Sequence, residues 1–441
     1  MKIKTKTSFL IFSIIFILFD AYSINQIPFS WIGHFVLFIV YLYIFLSNSL
    51  NFKSKDFLFL LLLFTITIPS IVNVNLIDST YFALRLFNMI SFLIILYMSA
   101  NENSNLIMQN NILGKLLTIF SFTGIYIYFA QIFDFYEPNR TRSSTSISSF
   151  DSQATFWLSE PHRLMGTFRE PSYYASLIFP VLFIYILNKK NVSNLIIFIT
   201  SISIGLTRSD FARLFCFVLL LIEIIFWFKN KKLNFQLLYS VLIIFLFSSY
   251  GILECNVNPT SKECSEYSET VKIINSSGEL KIKSNESNPI SNLDNERITA
   301  IKFFINNLSN LSPVGISNVN KNFQKFIIDE TSKEMYLTNR VLPKFLNTRY
   351  KTQNFGTGDY QALFNEYSVQ NMIIFYTASL GSVFILLIIS IAIFIFNKFK
   401  ITKNLAYLLT LVAFIVVSPF EEVNGLYGLL LGYTYNLLSK K

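Results

Sequence analysis

Apolar residues along this 441-residue chain do not alternate with polar ones; they come in blocks. A helix that crosses a bilayer needs about 20 mostly apolar residues. Blocks of that kind lie near 8–24, 29–47, 57–74, 81–99, 112–133 and 171–187, and six more near 194–207, 211–228, 233–252, 369–396, 405–420 and 424–438. The pattern predicts an all-α polytopic membrane protein of about 12 transmembrane helices. The blocks 194–207 and 424–438 are the shortest. Gly205, Gly425, Gly428 and Gly432 within or beside them predict close helix packing. No internal repeat is visible, which argues against an inverted-repeat transporter.

The polar stretches between the blocks give an orientation, because lysines and arginines in short loops favour the cytoplasmic side. With the N-terminus inside, alternate loops carry Lys53 and Lys55, Lys115, Lys189 and Lys190. Lys229, Lys231 and Lys232 follow, then Lys398, Lys400 and Lys403, and finally Lys440 and Lys441. The opposite short loops, 25–28, 75–80 and 419–423, hold neither Lys nor Arg. Both termini are therefore expected in the cytoplasm. The expected order is helices 1–5 over 1–133, a long outer loop over 134–170, and helices 6–9 over 171–252. A larger outer loop over 253–368 and helices 10–12 over 369–441 complete it. Within the large loop, Ile298, Ile301, Phe304, Ile305 and Leu308 recur at helical spacing. They predict short amphipathic helices lying over the membrane.

Composition excludes whole classes. Hydrophobic residues make up 53% and charged residues 14%, with a mean hydropathy of +0.49. A soluble domain needs roughly 25% charged residues to cover its surface, so a soluble globular enzyme is ruled out. The net charge of +10 is absorbed by loop orientation and does not imply nucleic acid. Three cysteines are too few for a disulfide scaffold. Cys255 and Cys264 could bridge only if their stretch is extracytoplasmic, and Cys216 lies in an apolar run.

The ten arginines, 85, 140, 142, 163, 169, 208, 213, 297, 340 and 349, all fall outside or in the outer part of a span under this topology. Arginine offers a planar fork that binds phosphate bidentately and keeps its charge when partly desolvated. Intramembrane arginine is also costly and usually functional. An anionic ligand at the outer face, such as a lipid pyrophosphate, would suit such a cluster.

The sharpest local pattern runs Arg163-Leu-Met-Gly166-Thr-Phe168-Arg169-Glu170-Pro171-Ser172-Tyr173. Pro171 suits the first turn of a helix, and Glu170 would sit beside that helix's positive end. Gly166 would let the loop backbone approach a ligand. A carboxylate between two arginines is either a general base or an ion-pair strut.

This stretch resembles the O-antigen and capsule polymerases (Wzy-type), within the superfamily they share with O-antigen ligases. Gly205-Leu-Thr-Arg208-Ser-Asp-Phe-Ala212 resembles the family's Arg-containing turn. Arg297, with Ser312-Pro313-Val314-Gly315 downstream, looks like the Arg…Pro-Leu-x-Gly element of the large outer loop. Gln370-Asn371 with Gly381 is similar to the His-Asn…Gly signature. Ligases carry His where this chain has Gln370, so imidazole chemistry is excluded there.

The resemblance implies a membrane glycosyltransferase that polymerises undecaprenyl-pyrophosphate-linked repeat units, in the bacterial cytoplasmic membrane with its site facing outward. It implies catalytic roles for Glu170 and Arg163, and substrate contacts from Arg169, Arg208, Arg297, Gly166, Gln370 and Asn371. A chain-length regulator and a flippase are the implied partner proteins. The alternatives are a ligase that transfers glycan to a lipid A core or protein, and, from another class, a lipid-linked oligosaccharide flippase.

No metal or cofactor is expected: the sequence has no Asp-x-Asp, no His- or Cys-rich ligand spacing and no Gly-rich phosphate loop. His34 is expected as a buried or interfacial residue, and His162 as an ordinary loop residue near the site. Asp20 and Glu421-Glu422 are expected in water or headgroups, and Glu223 to be satisfied by a neighbouring helix.

Overall fold

The structure, a computed structural model, describes residues 3–24, 27–48, 79–101, 110–133, 136, 163–168, 170–188, 192–230, 233–257, 272–274, 280–282, 296–307, 322–323, 325–326, 403–417 and 425–439. The described residues are mostly helical. In chain order the helices are α1 (Ile3–Leu18), α2 (Phe29–Asn48), α3 (Ser79–Asn101), α4 (Asn110–Phe133), α5 (Pro171–Asn188) and α6 (Asn194–Leu206). They continue with α7 (Asp210–Asn230), α8 (Phe235–Val257), α9 (Glu296–Asn307), α10 (Lys403–Val417) and α11 (Gly425–Ser439). Two antiparallel two-stranded hairpins join them: β1 (Ser23–Ile24) with β2 (Ile27–Pro28), and β3 (Lys272–Ile274) with β4 (Leu280–Ile282). The expected spans near 57–74 and 369–396 lie outside the described residues.

Among the described residues four segments are long and apolar enough to cross a membrane: Phe29–Leu46, Ile112–Ala130, Pro171–Asn188 and Phe211–Phe228. Their packing shows what surrounds them. Along α7 one stripe is buried (Phe215, Leu219, Glu223, Phe226) while the opposite stripe (Leu214, Phe217, Leu221, Ile225, Phe228) is exposed and still apolar. A helix facing water places polar residues on its uncovered side; an apolar uncovered side is the pattern of a helix against lipid. The same holds for Trp31, Phe35, Ile39 and Tyr43 on α2. The protein is a membrane-embedded helical bundle in this respect.

The chain divides into two compact units, one of 1–57, 87–266 and 394–441, the other of 58–86 and 267–393. In the first, α5 is the central helix: 15 of its residues are buried. Pro180 interrupts it. A proline lacks the N–H that would serve the carbonyl four residues earlier, here that of Ser176, and the Tyr427 hydroxyl of α11 donates to that carbonyl at 3.3 Å. Close packing falls where the glycines predict it. A Cβ at Gly428 would stand 2.5 Å from the Phe92 carbonyl oxygen, one at Gly432 1.9 Å from Ser99 Oγ, and one at Gly205 2.6 Å from Phe247 Cβ. α3 and α11, and α6 and α8, therefore touch at their backbones.

At one end of the bundle Glu223 of α7 is fully buried and accepts from Lys403 Nζ at 2.8 Å, from the Asn234 N–H at 2.9 Å and from the Tyr407 hydroxyl. Asn234 also caps α8 by accepting from the Leu237 N–H at 3.3 Å. The expected neighbouring-helix partner of Glu223 is thus α10.

In the second unit, α9 is a helix over part of the stretch where the spacing predicts one. Phe303 is buried against the rings of Phe323 and Phe326 at 5.4 and 5.7 Å, while Ile305 is exposed.

Candidate functional site

Two of the motifs singled out in the sequence meet at one end of the first unit. The segment 163–168 lies across the turn that joins α6 to α7. The Leu164 N–H donates to the Leu206 carbonyl at 2.9 Å, and Arg163 Nε donates to the Thr207 carbonyl at 2.9 Å. The last carbonyls of a helix have no partner within it, and α6 uses this loop to satisfy two of them. The turn itself provides for two more: the Thr207 N–H reaches Ile204 O at 3.1 Å, and the Arg208 N–H reaches Gly205 O at 2.9 Å.

Arg208 has a φ of +49°. The position after a helix end commonly adopts the left-handed conformation, and glycine is the usual residue there because a Cβ costs about 1–2 kcal/mol. This chain keeps an arginine. Its Nε and Nη1 atoms are buried and have no hydrogen-bond partner among the described residues. Ser209, buried after it, hydrogen-bonds through its N–H to Thr207 Oγ1 at 3.4 Å and accepts from the Arg213 N–H at 3.1 Å, which starts α7.

The 163–168 segment is fixed on its other side too. Gly166, at φ +53°, packs on the ring of Tyr174: a Cβ there would lie 3.0 Å from that ring and 3.3 Å from Gly124 Cα. Gly166 therefore serves chain direction and close packing on α4 and α5. Tyr174, wholly buried, donates its hydroxyl to Ser203 Oγ at 2.9 Å and meets Phe168 edge-on at 5.5 Å. Thr167 Oγ1 donates to the Leu18 carbonyl at 2.6 Å, and the Ala21 N–H to the Thr167 carbonyl at 3.0 Å. The loop thereby ties α1, α4, α5 and α6 together.

Glu170 caps α5. Its carbonyl accepts from the Tyr173 and Tyr174 N–H groups at 3.1 and 3.3 Å, Pro171 follows as the first helical residue, and Ser172 Oγ donates to Glu170 Oε2 at 3.4 Å.

The sequence did not single out Asp20 for this end of the bundle. It was expected in water or headgroups, but it is buried, accepting from Ser30 Oγ at 3.1 Å on the first turn of α2. The short β1–β2 hairpin lies between these two residues in the chain, and a buried carboxylate at a helix N-terminus is favourably placed. Nothing in the hydropathy of 18–30 distinguishes this arrangement from an open loop.

The structure thus brings the segment of Arg163 and Gly166 to the turn that carries Arg208, and sets Glu170 at the start of α5 in the same unit. Arg169, His162, Gln370 and Asn371 lie outside the described residues. Arg297 lies on α9 in the second unit, and its side chain is likewise outside them. Among the described residues no three His, Cys, Asp or Glu side chains gather into a metal-binding group. An apolar cleft lined by Leu18, Leu117, Phe120, Ile178, Val181 and Leu430 lies between α1, α4, α5 and α11; it offers no polar group for chemistry. No family model, curated protein or solved structure matches the chain.

Proposed function

We propose that this protein is a membrane glycosyltransferase that polymerises undecaprenyl-pyrophosphate-linked oligosaccharide repeat units into a surface polysaccharide. One observation carries the reading. Arg208 occupies a left-handed position that favours glycine, and two of its guanidinium nitrogens are buried without an acceptor among the described residues. A buried unpaired donor on a charged group costs more than the roughly 1–3 kcal/mol of a neutral one. A site that keeps both penalties is one where an anion completes the arrangement.

In this reading the pyrophosphate of the donor lies against Arg208, with Arg169 contributing a second cation. Glycosyl transfer breaks the bond between the anomeric carbon and the pyrophosphate oxygen, and the arginines stabilise the charge that develops on the leaving group. The acceptor hydroxyl must lose a proton, and in this reading Glu170 takes it or holds the arginines in line. Arg297, Gln370 and Asn371 belong to the glycan side of the site. The topology that goes with this has about twelve spans, both termini in the cytoplasm, and the Arg208 corner at the outer face of a bacterial cytoplasmic membrane. A chain-length regulator and a flippase would be the partner proteins.

The test is purified protein incubated with one lipid-linked repeat unit, without added metal or second acceptor. Products that lengthen by whole repeats are expected. Transfer only after a lipid A core or a protein acceptor is supplied would make the protein a ligase instead.

A further inference from the structure

We propose that Arg163 is a positioning residue: its guanidinium closes the Thr207 carbonyl and so fixes the turn from which Arg208 presents its own. The proposal rests on the reading of Arg208 as the anion-binding group, but its geometry stands apart from that reading.

The end of α6 is a chain of four carbonyls, each with a donor. Ile204 and Gly205 are served by the turn's own N–H groups, Leu206 by the Leu164 N–H and Thr207 by Arg163 Nε. Two of the donors are side chains: Thr207 Oγ1 also donates to Ile204 O at 2.6 Å, and Arg163 Nε alone of the two acts on the peptide that immediately precedes Arg208. A left-handed non-glycine residue persists only where its surroundings over-determine it. Relaxing Arg208 toward ordinary helical dihedrals would rotate the Thr207–Arg208 peptide, and that rotation would break the Arg163 bond. The Ser209 N–H on Thr207 Oγ1 holds the turn from the far side. Arg163 holds it from the near side.

The donating atom is Nε, the stem nitrogen of arginine, and this allows donor and charge to be separated. Glutamine places its amide nitrogen the same number of bonds from Cα and carries no charge. Lysine keeps the charge but carries its nitrogen one atom farther out. A clamp on Thr207 therefore tolerates Arg163→Gln better than Arg163→Lys, and a direct contact with pyrophosphate gives the opposite order.

The experiment uses the full chain in lipid nanodiscs. It compares the unmodified protein with Arg163→Gln, Arg163→Lys, Arg163→Met and Arg208→Gly. Equilibrium binding of undecaprenyl pyrophosphate is one readout, and amide hydrogen exchange over residues 204–210 is the other. Arg163→Gln is expected to keep the turn protected and the Kd within about threefold of the unmodified protein, whereas Arg163→Lys and Arg163→Met lose protection and bind roughly tenfold more weakly. Any order other than glutamine above lysine overturns the proposal, and so does equal protection in all three variants. If the unmodified protein and Arg208→Gly bind the lipid equally, or neither binds, the anion reading fails on its own, while the exchange comparison still decides the clamp.

Discussion

The hydroxyl of Tyr427 on α11 occupies the place that a backbone N–H would hold at Ser176 on α5, 3.3 Å from its carbonyl. Pro180 makes that carbonyl an orphan, and the two helices are joined by the repair. Tyr427→Phe is expected to destabilise the protein by about 1–3 kcal/mol, the penalty of a buried unsatisfied carbonyl. In the background of Pro180→Ala, which restores the helical N–H, the same change is expected to cost well under half as much. Thermal unfolding of the four proteins of this cycle in detergent measures the coupling; additive effects would show that Tyr427 is not the partner of Ser176.

Arg208 offers a trade between stability and activity. Arg208→Gly removes a left-handed arginine and two buried nitrogens that have no partner among the described residues, so the variant should unfold about 1 kcal/mol less readily than the unmodified protein. The same substitution should abolish lengthening of lipid-linked repeats. Arg208→Lys keeps the charge without the planar fork, and its turnover should fall roughly 10- to 150-fold. A glycine variant that is both less stable and fully active would contradict the role given to this residue.

The buried carboxylate of Glu223 predicts an asymmetry between partners. Removing Lys403 leaves a charge with no exposure, whereas replacing Glu223 leaves a lysine whose side chain is 21% exposed and can extend toward water. Lys403→Met is therefore expected to cost about 3–5 kcal/mol, and Glu223→Gln distinctly less. Fluorescence-detected thermal melts rank the two, and the reverse ranking would mean that the carboxylate does not depend on Lys403.

Orientation has its own test. Reporter fusions after residues 150, 210, 300 and 422 should read extracytoplasmic, and those after 54, 190, 230 and 400 cytoplasmic. A cytoplasmic signal at 210 would place the Arg208 turn in the wrong compartment for a lipid-linked glycan.

Much of the helical frame was legible because lipid imposes it: every spanning segment must satisfy its own backbone, so length and hydropathy suffice to mark it. Pro171 at the first turn of α5, the brevity of α6 and the glycine contacts of α11 were all readable as local rules. The two motifs around Gly166 and Arg208 could also be noticed one at a time. Their contact could not, because residues 163–164 and 206–207 are joined by hydrogen bonds that leave no mark on either stretch alone. Asp20 illustrates the same limit: a carboxylate near a span end looks solvated until Ser30 is found beside it.

Composition, the apolar blocks and the places of lysine and arginine between them are properties of single segments, and the sequence determined them by itself. Three things required the tertiary structure: which carbonyl Arg163 caps, which ring Gly166 rests on, and which donors reach Glu223. Arg163 with Thr207 and Glu223 with Lys403 join segments far apart in the chain, and Gly166 with Tyr174, near in sequence, closes against Gly124 of another helix; all form only after the helices have packed. Hydrogen bonds have a range of about 3 Å, so their partners are decided by where packing leaves the backbone and not by the order of the residues.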